Sequence, residues 1–591
     1  MTRIAVIEKG KCNPLKCGNY LCIRLCPVNK TGGECIIESP DKKVEIMENT
    51  CTGCNICCKK CPFEAIHIIN LPEKLKEDPI HRFSKNSFEL FNLPTPKKNT
   101  VIGIIGRNGI GKTTALSILA GAIKPNLGNY KISPEDNIIL HKYSTKEIGE
   151  YLKKLFKKEL KISYKPQRVE LLVELYQEKT IKELLKKVDE KNIIKELIKD
   201  LDMENLLDRR IEELSGGELQ RLAIIATASK KADLYYFDEP SSFCDITQRI
   251  KIAKLIRSLK TPKTSIIVIE HDLATLDYIS DEINIVYGEH ACYGIFSQSK
   301  SVRRGINEYL DGYLPDENIK FRNYSINFQE SNAERSLKTD PLLIFPKLKK
   351  TFPSFKLEIN SIEIRKNEVL TIMGANGLGK TTFLKLISKE LEDDEKTKLS
   401  DLRIIFKHQY LDNNIEKTVE EFLKENASQE YSSGWYKTNI LEKLNIKTIL
   451  KNKIKYLSGG ELQKVHIAKA LSQECDLILM DEPSAFIDIE DRLNVAEVIK
   501  EFTIKKEIAT IVVDHDIQFI DYISDALILF TGEPGKNGKI EGPLNKTEGM
   551  NKILKILDIT YRKDKETKRP RINKPESQLD KEQRAKNKFY Y

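Results

Sequence analysis

Residues 106–114 read GRNGIGKTT, and residues 374–382 read GANGLGKTT. Each stretch ends an apolar run, TVIGIIG at 100–106 and EVLTIMG at 368–374, and each leads into a helical pattern. A strand, a glycine loop and a Lys-Thr pair opening a helix make a phosphate cradle. The glycines let backbone N–H groups close on an anion at a helix end that already favours one. Gly106, Asn108, Gly109 and Gly111 form the expected loop of one cradle; Gly374, Asn376, Gly377 and Gly379 form the other. Lys112 and Lys380 are expected to reach the β- and γ-phosphates, Thr113 and Thr381 to ligate Mg2+, and Thr114 and Thr382 to complete each ATP-binding motif.

Three further motifs recur in the same order. LSGGELQ begins at Leu214 and Leu457, apolar runs end in Asp-Glu-Pro at Asp238 and Asp481, and a His-Asp pair follows an Ile/Val run at His271 and His515. Asp481 stands 243 residues after Asp238, Ser458 stands 243 after Ser215, and His515 stands 244 after His271. One α/β domain is therefore present twice. In LYYFDEP and LILMDEP a buried strand should deliver Asp238 and Asp481 to the metal, while Glu239 and Glu482 polarise the attacking water. Gln167 and Gln409 are the expected sensors of metal and γ-phosphate, with His271 and His515 holding the γ-phosphate and the water.

One spacing breaks the symmetry. Gln167 lies 55 residues beyond Lys112, whereas Gln409 lies 29 beyond Lys380, so the first copy carries about 26 extra residues upstream of Gln167. That region contains HKYSTKEIGEYLKKLFKKELKI, and its periodicity predicts a helix–loop–helix over about 138–163. Ile148, Leu152, Leu155, Phe156 and Leu160 form the apolar stripe, Lys153, Lys154, Lys157, Lys158 and Lys161 crowd the other surface, and Ser144 with Glu147 reads as an N-cap.

Ten of the 13 cysteines fall between Cys12 and Cys61, which points to metal rather than disulfides. Cys51, Cys54, Cys57 and Cys61-Pro62 have the spacing of a ferredoxin run, whose fourth cysteine serves the other cluster. Cys12, Cys17, Cys22 and Cys26-Pro27 are a looser counterpart. The crossover assigns Cys12, Cys17, Cys22 and Cys61 to one 4Fe-4S cluster, and Cys26, Cys51, Cys54 and Cys57 to the second; zinc is the competing occupant. Cys35 and Cys58 are left as non-ligating, and Cys244, Cys292 and Cys475 as packing residues. The 591 residues exceed one core; no apolar run approaches a membrane span, and MTRIAVIEKGKC has no secretory h-region. A net charge of +10 permits a polyanionic partner.

Ser215-Gly216-Gly217 and Ser458-Gly459-Gly460 resemble the signature loop of ABC ATPases. That resemblance implies that each signature completes the other copy's ATP site, pairing Lys112, Glu239 and His271 with Ser458, and Lys380, Glu482 and His515 with Ser215. The fold class is then two tandem α/β ABC-type P-loop ATPase cassettes behind a small α+β ferredoxin-like iron–sulfur domain. With HRFSKNSFEL at His81, SVRRGINEYLDGYLPDENIKFR at Ser301 and ITYRKD…RPRINK from Ile559, the chain resembles ABC subfamily E, the RNase L inhibitor family of ribosome-recycling ATPases. It departs from the family pattern in the longer Cys17–Cys22 gap, in His408 before Gln409, and in Phe83 where tyrosine is usual.

The resemblance implies a cytoplasmic ATP hydrolase. Its cofactors would be ATP, Mg2+ and two 4Fe-4S clusters, and it would split ribosomes after termination or stalling and stay on the small subunit. Implied partners are small-subunit rRNA and proteins, a release-type factor and initiation factors, with no membrane. Domains are expected at 1–75 (ferredoxin-like), 76–300 (first cassette), 301–340 (hinge 1), 341–545 (second cassette) and 546–591 (hinge 2 and a basic tail, disordered after Lys574 until bound). Phe83 and Phe88 would stack on adenine. Ser144, Lys153, Lys154, Lys157 and Lys158 would meet rRNA phosphates, and the hinge residues Arg303, Arg304, Arg322, Arg562, Lys563, Arg569 and Arg571 suit either rRNA or intramolecular pairing. Two other functions use the same parts: an ATPase subunit that borrows a membrane partner, and an ATPase of iron–sulfur assembly or electron transfer.

Overall fold

Both apolar runs ahead of the phosphate loops are central strands, Thr100–Ile105 and Glu368–Met373. Each is parallel to a strand on either side: Ser265–Ile269 and Glu282–Glu289 in the first copy, Ala509–Val513 and Ala526–Glu533 in the second. Strands covered on both faces read as unbroken apolar runs, which is why these segments show no alternation. The Asp-Glu-Pro strands, Leu234–Asp238 and Leu477–Asp481, come next, followed by Ile162–Lys165 and Ile404–Lys407 at the edge. Both sheets share one strand order, and the first has a ninth strand, Lys300–Ser301, laid against Glu282 and Ile283. The structure is a computed structural model and describes residues 3–70, 78–326, 328, 341–397, 401–409, 411–427 and 430–591. The expected boundary at 75/76 and the end of hinge 1 at 329–340 lie outside the described residues.

The cysteine segment folds around strand Arg3–Ile7, which pairs antiparallel with Ile66–Asn70. Ala5 and Ile7 face a core built largely of cysteines, while Ile4 and Val6 face the first cassette beside Phe91, Ile285 and Ile295. A strand with period-2 side chains thus serves two cores at once. Asn86, buried, fastens the joint: its amide donates to the carbonyls of Ala5 and Ile46, and its oxygen accepts from the Ile46 amide at 2.9 Å.

The insertion is two helices, Asp136–Tyr143 and Glu147–Phe156. Ile148 and Leu152 are buried, Leu155 and Phe156 pack at the edge of the same core, and Lys153, Lys154, Lys157 and Lys158 are exposed. Ser144 is not the N-cap. It ends the first helix, its hydroxyl donating to the His141 carbonyl at 2.7 Å, and Lys146 precedes the second helix instead. Leu160 lies past the helix end, because the chain leaves helical geometry at Lys158, whose φ is +56°.

Of the two roles expected for the hinge residues, the structure shows intramolecular pairing. Arg322 reaches Glu490 of the second cassette at 2.8 Å, Arg303 pairs with Asp564 at 3.1 Å, and Arg304 pairs with Glu308 at 2.6 Å. Arg569, 0% exposed, and Arg571 converge on Asp277 of the first cassette at 3.1 and 2.8 Å. Intramolecular carboxylates, not a free surface, occupy these guanidinium groups. The hairpin that carries Arg569 and Arg571, Tyr561–Lys563 with Pro570–Ile572, also accepts a hydrogen bond from Gln518 of the second cassette at the Pro570 carbonyl, 3.1 Å. It therefore joins both halves. The tail is ordered as well, contrary to expectation: Gln578–Ala585 is a helix capped by Ser577, and Phe589 and Tyr590, each 7% exposed, sit in a core cluster shared by both cassettes and hinge 2, their amides donating to the Asn551 side chain. Two terminal aromatics supply the apolar anchor that the charged composition hides.

Burying guanidinium groups is costly unless every charge is paired. Asp277→Ala should cost about 3–5 kcal/mol in docking of the hairpin, read as faster amide exchange across residues 561–572. Unchanged exchange there would refute the pivotal role of Asp277.

Candidate active site

The two phosphate loops are near copies in detail. Gly111 and Gly379 adopt φ of +90° and +92° as they open helices Lys112–Leu119 and Lys380–Ile387, a conformation that glycine accepts without strain. The Lys112 ammonium donates to the carbonyls of Gly106 and Arg107 at 2.7 and 2.8 Å and to the Asn108 side chain at 3.4 Å. Lys380 repeats this on Gly374, Ala375 and Asn376 at 2.8, 2.9 and 3.3 Å. Burial lowers both lysines to about 8. Thr113 donates to Asp238 at 3.0 Å and Thr381 to Asp481 at 2.9 Å, so hydroxyl and carboxylate already converge where a divalent cation would sit. Thr114 and Thr382 occupy the next position on each helix.

Gln167 donates to Glu239 at 2.7 Å and Gln409 to Glu482 at 2.8 Å. The His271 ring nitrogen is 3.3 Å from Glu239, and that of His515 is 3.7 Å from Glu482. The carboxylates nevertheless differ. Burial works against Glu239, but His271, Lys112 and Ser242 hold it down at about 2. Glu482 is pushed up to about 7 by burial and by the charges of Asp481 and Asp514. Burial and the neighbouring Lys380 and Arg249 also hold His515 well below the usual imidazole range. Asp238 rises to about 6 through burial and its neighbour Glu239.

The sequence reading missed two sets of residues. Lys165 and Lys407, from the Tyr/Phe-Lys-x-Gln segments, are buried and clasp the carbonyls of the Asp-Glu pairs, Lys165 at 2.7 and 3.1 Å and Lys407 at 2.8 and 3.4 Å. The loops after Asp-Glu-Pro cross between cassettes. Asp245 accepts the Asn376 amide of the second phosphate loop at 2.8 Å, and Arg107 of the first loop lies 3.7 Å from Glu490. Phe243 and Phe486 meet edge to face with ring centroids 5.8 Å apart. Behind them Phe243 packs on Gly216 and Gly217, and Phe486 on Gly459 and Gly460. The signal was available: SSFCD and SAFID recur at the same offset of 243 residues.

Ser215 and Ser458 cap the helices Gly216–Ala228 and Gly459–Ala470 in reciprocal boxes with Glu218 and Glu461. Their hydroxyls donate to those glutamates at 2.8 and 2.7 Å. Phe88 lies on Gly111, and Phe355, which was not anticipated, lies on Gly379 in the same way. Phe83 instead turns its 51% exposed ring onto the edge of His81. In the cysteine domain, one cavity is lined by Cys12, Cys17, Cys22 and Cys61, with Tyr20 and Val44. Cys26, Cys51 and Cys57 are buried in the same small core, and Cys54 is exposed. Cys35 touches Cys26 and Cys51, and its thiol is raised to about 12 by burial and those neighbours.

The family model for the ABC transporter ATPase matches residues 94–242 and 357–485, and that for a possible Fer4-like domain in RNase L inhibitor matches residues 2–34. An uncharacterised ABC transporter ATP-binding protein of Methanocaldococcus jannaschii is 46% identical over 100% of this chain and 97% of its own length. Translation initiation factor RLI1 of Saccharomyces cerevisiae is 42% identical over 100% and 98%. The solved model of ribosome-bound archaeal Pelota and ABCE1 superposes with a TM-score of 0.93 at 47% identity, covering 100% of this chain and 99% of that one. The archaeal recycling factor aABCE1, in complex with the ribosomal stalk protein aP1, gives 0.83 at 44% identity over 88% and 99%. No helix among the described residues is long and apolar enough to cross a membrane. Twin nucleotide sites behind an iron–sulfur domain, matched end to end by these relatives, place the chain in the RNase L inhibitor family, subfamily E of the ABC ATPases.

Proposed function

We propose that this ATP hydrolase recycles ribosomes in the cytoplasm, splitting them into subunits after termination or stalling and remaining on the small subunit. The observation that carries the reading is the crossing hydrogen bond from the Asn376 amide to Asp245: a phosphate loop of one cassette touches a loop of the other, so nucleotide and inter-cassette distance are linked. A polyphosphate set against Lys112 and Lys380, which burial lowers to about 8, would favour their charged form. Glu239 and Glu482 orient and polarise water, with Gln167, Gln409, His271 and His515 fixing their geometry. Thr113 with Asp238, and Thr381 with Asp481, would hold Mg2+, which would supply neutralisation of charge on the phosphates. Ser215, Gly216, Gly217 and Ser458, Gly459, Gly460 close on the nucleotide of the opposite cassette, the hydroxyls exchanging Glu218 and Glu461 for phosphate. Phe88, and with it Phe83, would face the base.

Two 4Fe-4S clusters would be held by Cys12, Cys17, Cys22 and Cys61 and by Cys26, Cys51, Cys54 and Cys57, which iron analysis reads as eight atoms per chain. The cavity lined by the first set supports that grouping. Docked on the first cassette through Ile4, Val6 and Asn86, the cluster domain would move with it as a rigid tool. Partners would be small-subunit rRNA and proteins and a release-type factor of the Pelota kind, with initiation factors on the freed subunit.

Glu239→Gln with Glu482→Gln should keep ATP binding, lower turnover at least tenfold, and co-sediment with small ribosomal subunits in ATP alone, as the parent does only with a non-hydrolysable analogue. Parental turnover, or no subunit in the pellet, would overturn the reading.

The exposed Lys153 and Lys154 lie on the insertion's second helix and Lys157 and Lys158 just past its end, and we assign them to rRNA phosphates, with Ser144 at the preceding turn. Replacing the four lysines with glutamate should weaken subunit binding and flatten its salt dependence while leaving ribosome-free ATPase activity within about twofold, because binding through fewer phosphate contacts releases fewer counterions. Equal binding across a salt titration would make them a solvated face.

A further inference from the structure

The turn Glu289–Cys292 joins strands Glu282–Glu289 and Tyr293–Phe296 of the first cassette. One side of this turn rests on the first phosphate loop: the Ala291 amide donates to the Gly109 carbonyl at 3.0 Å, and the His290 ring covers Gly109. The other side faces the cysteine domain. There His67, on the strand Ile66–Asn70, brings a ring nitrogen beside the Glu289 carboxylate and the Cys292 thiol, and the three donor atoms all lie within 4.8 Å of one another. Glu8, on the chain after Arg3–Ile7, holds the His67 Nε2 atom at 3.0 Å. Cys292 is 0% exposed, and the carbonyl of its own residue is fixed by the Glu89 amide at 3.0 Å, so the thiol stands on a rigid support.

We propose that His67, Glu289 and Cys292 bind one divalent transition metal of the zinc class, separate from the iron–sulfur clusters, and that this metal clamps the cysteine domain to the turn touching the first phosphate loop. Sulfur, nitrogen and carboxylate oxygen together select zinc, iron(II) or cobalt(II) over magnesium or calcium. Tetrahedral zinc bonds of about 2.0–2.3 Å put ligand atoms roughly 3.5 Å apart, so the donors need to draw in by about 1 Å. Side-chain rotation of the exposed Glu289 and half-buried His67 accommodates that movement. The Cys292 thiol gives its proton to solvent as the metal–sulfur bond forms. Glu8 acts as the outer carboxylate that orients the imidazole, an arrangement frequent at zinc sites. A metal here spans two domains that are otherwise joined by apolar contacts, by Asn86 and by the Arg82–Glu48 and Lys85–Glu45 ion pairs, and it would tie the position of the cysteine domain to the phosphate loop of the first site.

The test titrates Co2+, under anaerobic conditions, into protein purified with its iron–sulfur clusters intact, with iron content measured alongside. Expected is one equivalent of cobalt, giving thiolate-to-cobalt absorption above the cluster background. Its affinity should fall at least tenfold in His67→Ala and in Glu289→Gln, and the absorption should vanish in Cys292→Ser, with iron content unchanged in all three. His67 and Glu289 lie toward the surface, so those variants test the site even where Cys292→Ser disturbs packing. Cobalt binding of parental strength in His67→Ala and Glu289→Gln, or no equivalent taken up by the parent, overturns the proposal.

Discussion

The hydrogen bond from the Asn376 amide to Asp245 places a side chain of one cassette inside the phosphate loop of the other. A phosphate loop is a row of N–H donors at a helix end, and it holds an anion well only when the remaining phosphate oxygens also find donors. On the proposed reading, those donors come to each nucleotide from the opposite cassette. The signature helices begin at Ser215 and Ser458, and their glycines carry the rings of Phe243 and Phe486, which meet across the pseudo-symmetry axis. The two crossing loops thus touch each other and, each in its own cassette, the signature glycines. Coupling of this kind needs contiguous packing between two discrete arrangements, and the Phe243–Phe486 contact provides the continuity.

The two halves must stay joined while their sites open and close. The hinges do this with ion pairs, most of them buried. Asp277 takes Arg569 and Arg571, Asp564 takes Arg303, and Glu490 takes Arg322, each drawn from a different stretch of chain. Such pairs are poor sources of net stability but are exacting in geometry, because an unpaired partner left in the interior is heavily penalised. They fix where the halves pivot. The tail adds Phe589 and Tyr590 to the same core, so the last residues of the chain hold the pivot together. The surroundings of the two glutamates differ: His271 at 3.3 Å, with Lys112 and Ser242, holds the Glu239 carboxyl down against burial, whereas burial and the charges of Asp481 and Asp514 push Glu482 up, with the His515 ring 3.7 Å away.

Most of this architecture was legible because it is written twice. The repeated offsets of Ser215, Asp238 and His271 defined the cassettes and their nucleotide loops before any strand was seen, and the 26-residue discrepancy located the insertion. What remained hidden was tertiary. Ser144 looks like an N-cap by type, but the chain turns two residues later and the serine ends a helix instead. Arg569 and Arg571 look like a nucleic-acid patch until Asp277, almost three hundred residues away, is found between them. Phe355 escaped notice because no repeated motif surrounds it; only the glycine it covers reveals its kinship with Phe88. Asp245 was readable and overlooked, since its partner, the Asn376 amide, is in the opposite cassette. The tail's composition announced disorder, and two aromatic residues overruled it.

The claim at the centre of this account is that each nucleotide is enclosed by both cassettes. Amide hydrogen exchange of the nucleotide-free protein, compared with protein saturated with Mg2+ and a non-hydrolysable ATP analogue, tests it directly. Protection should rise at least tenfold at the phosphate loops 106–114 and 374–382 and, together with them, at the signature segments 215–217 and 458–460 and the crossing loops 241–245 and 484–488. Protection confined to the phosphate loops, with signature and crossing segments exchanging as before, would contradict it.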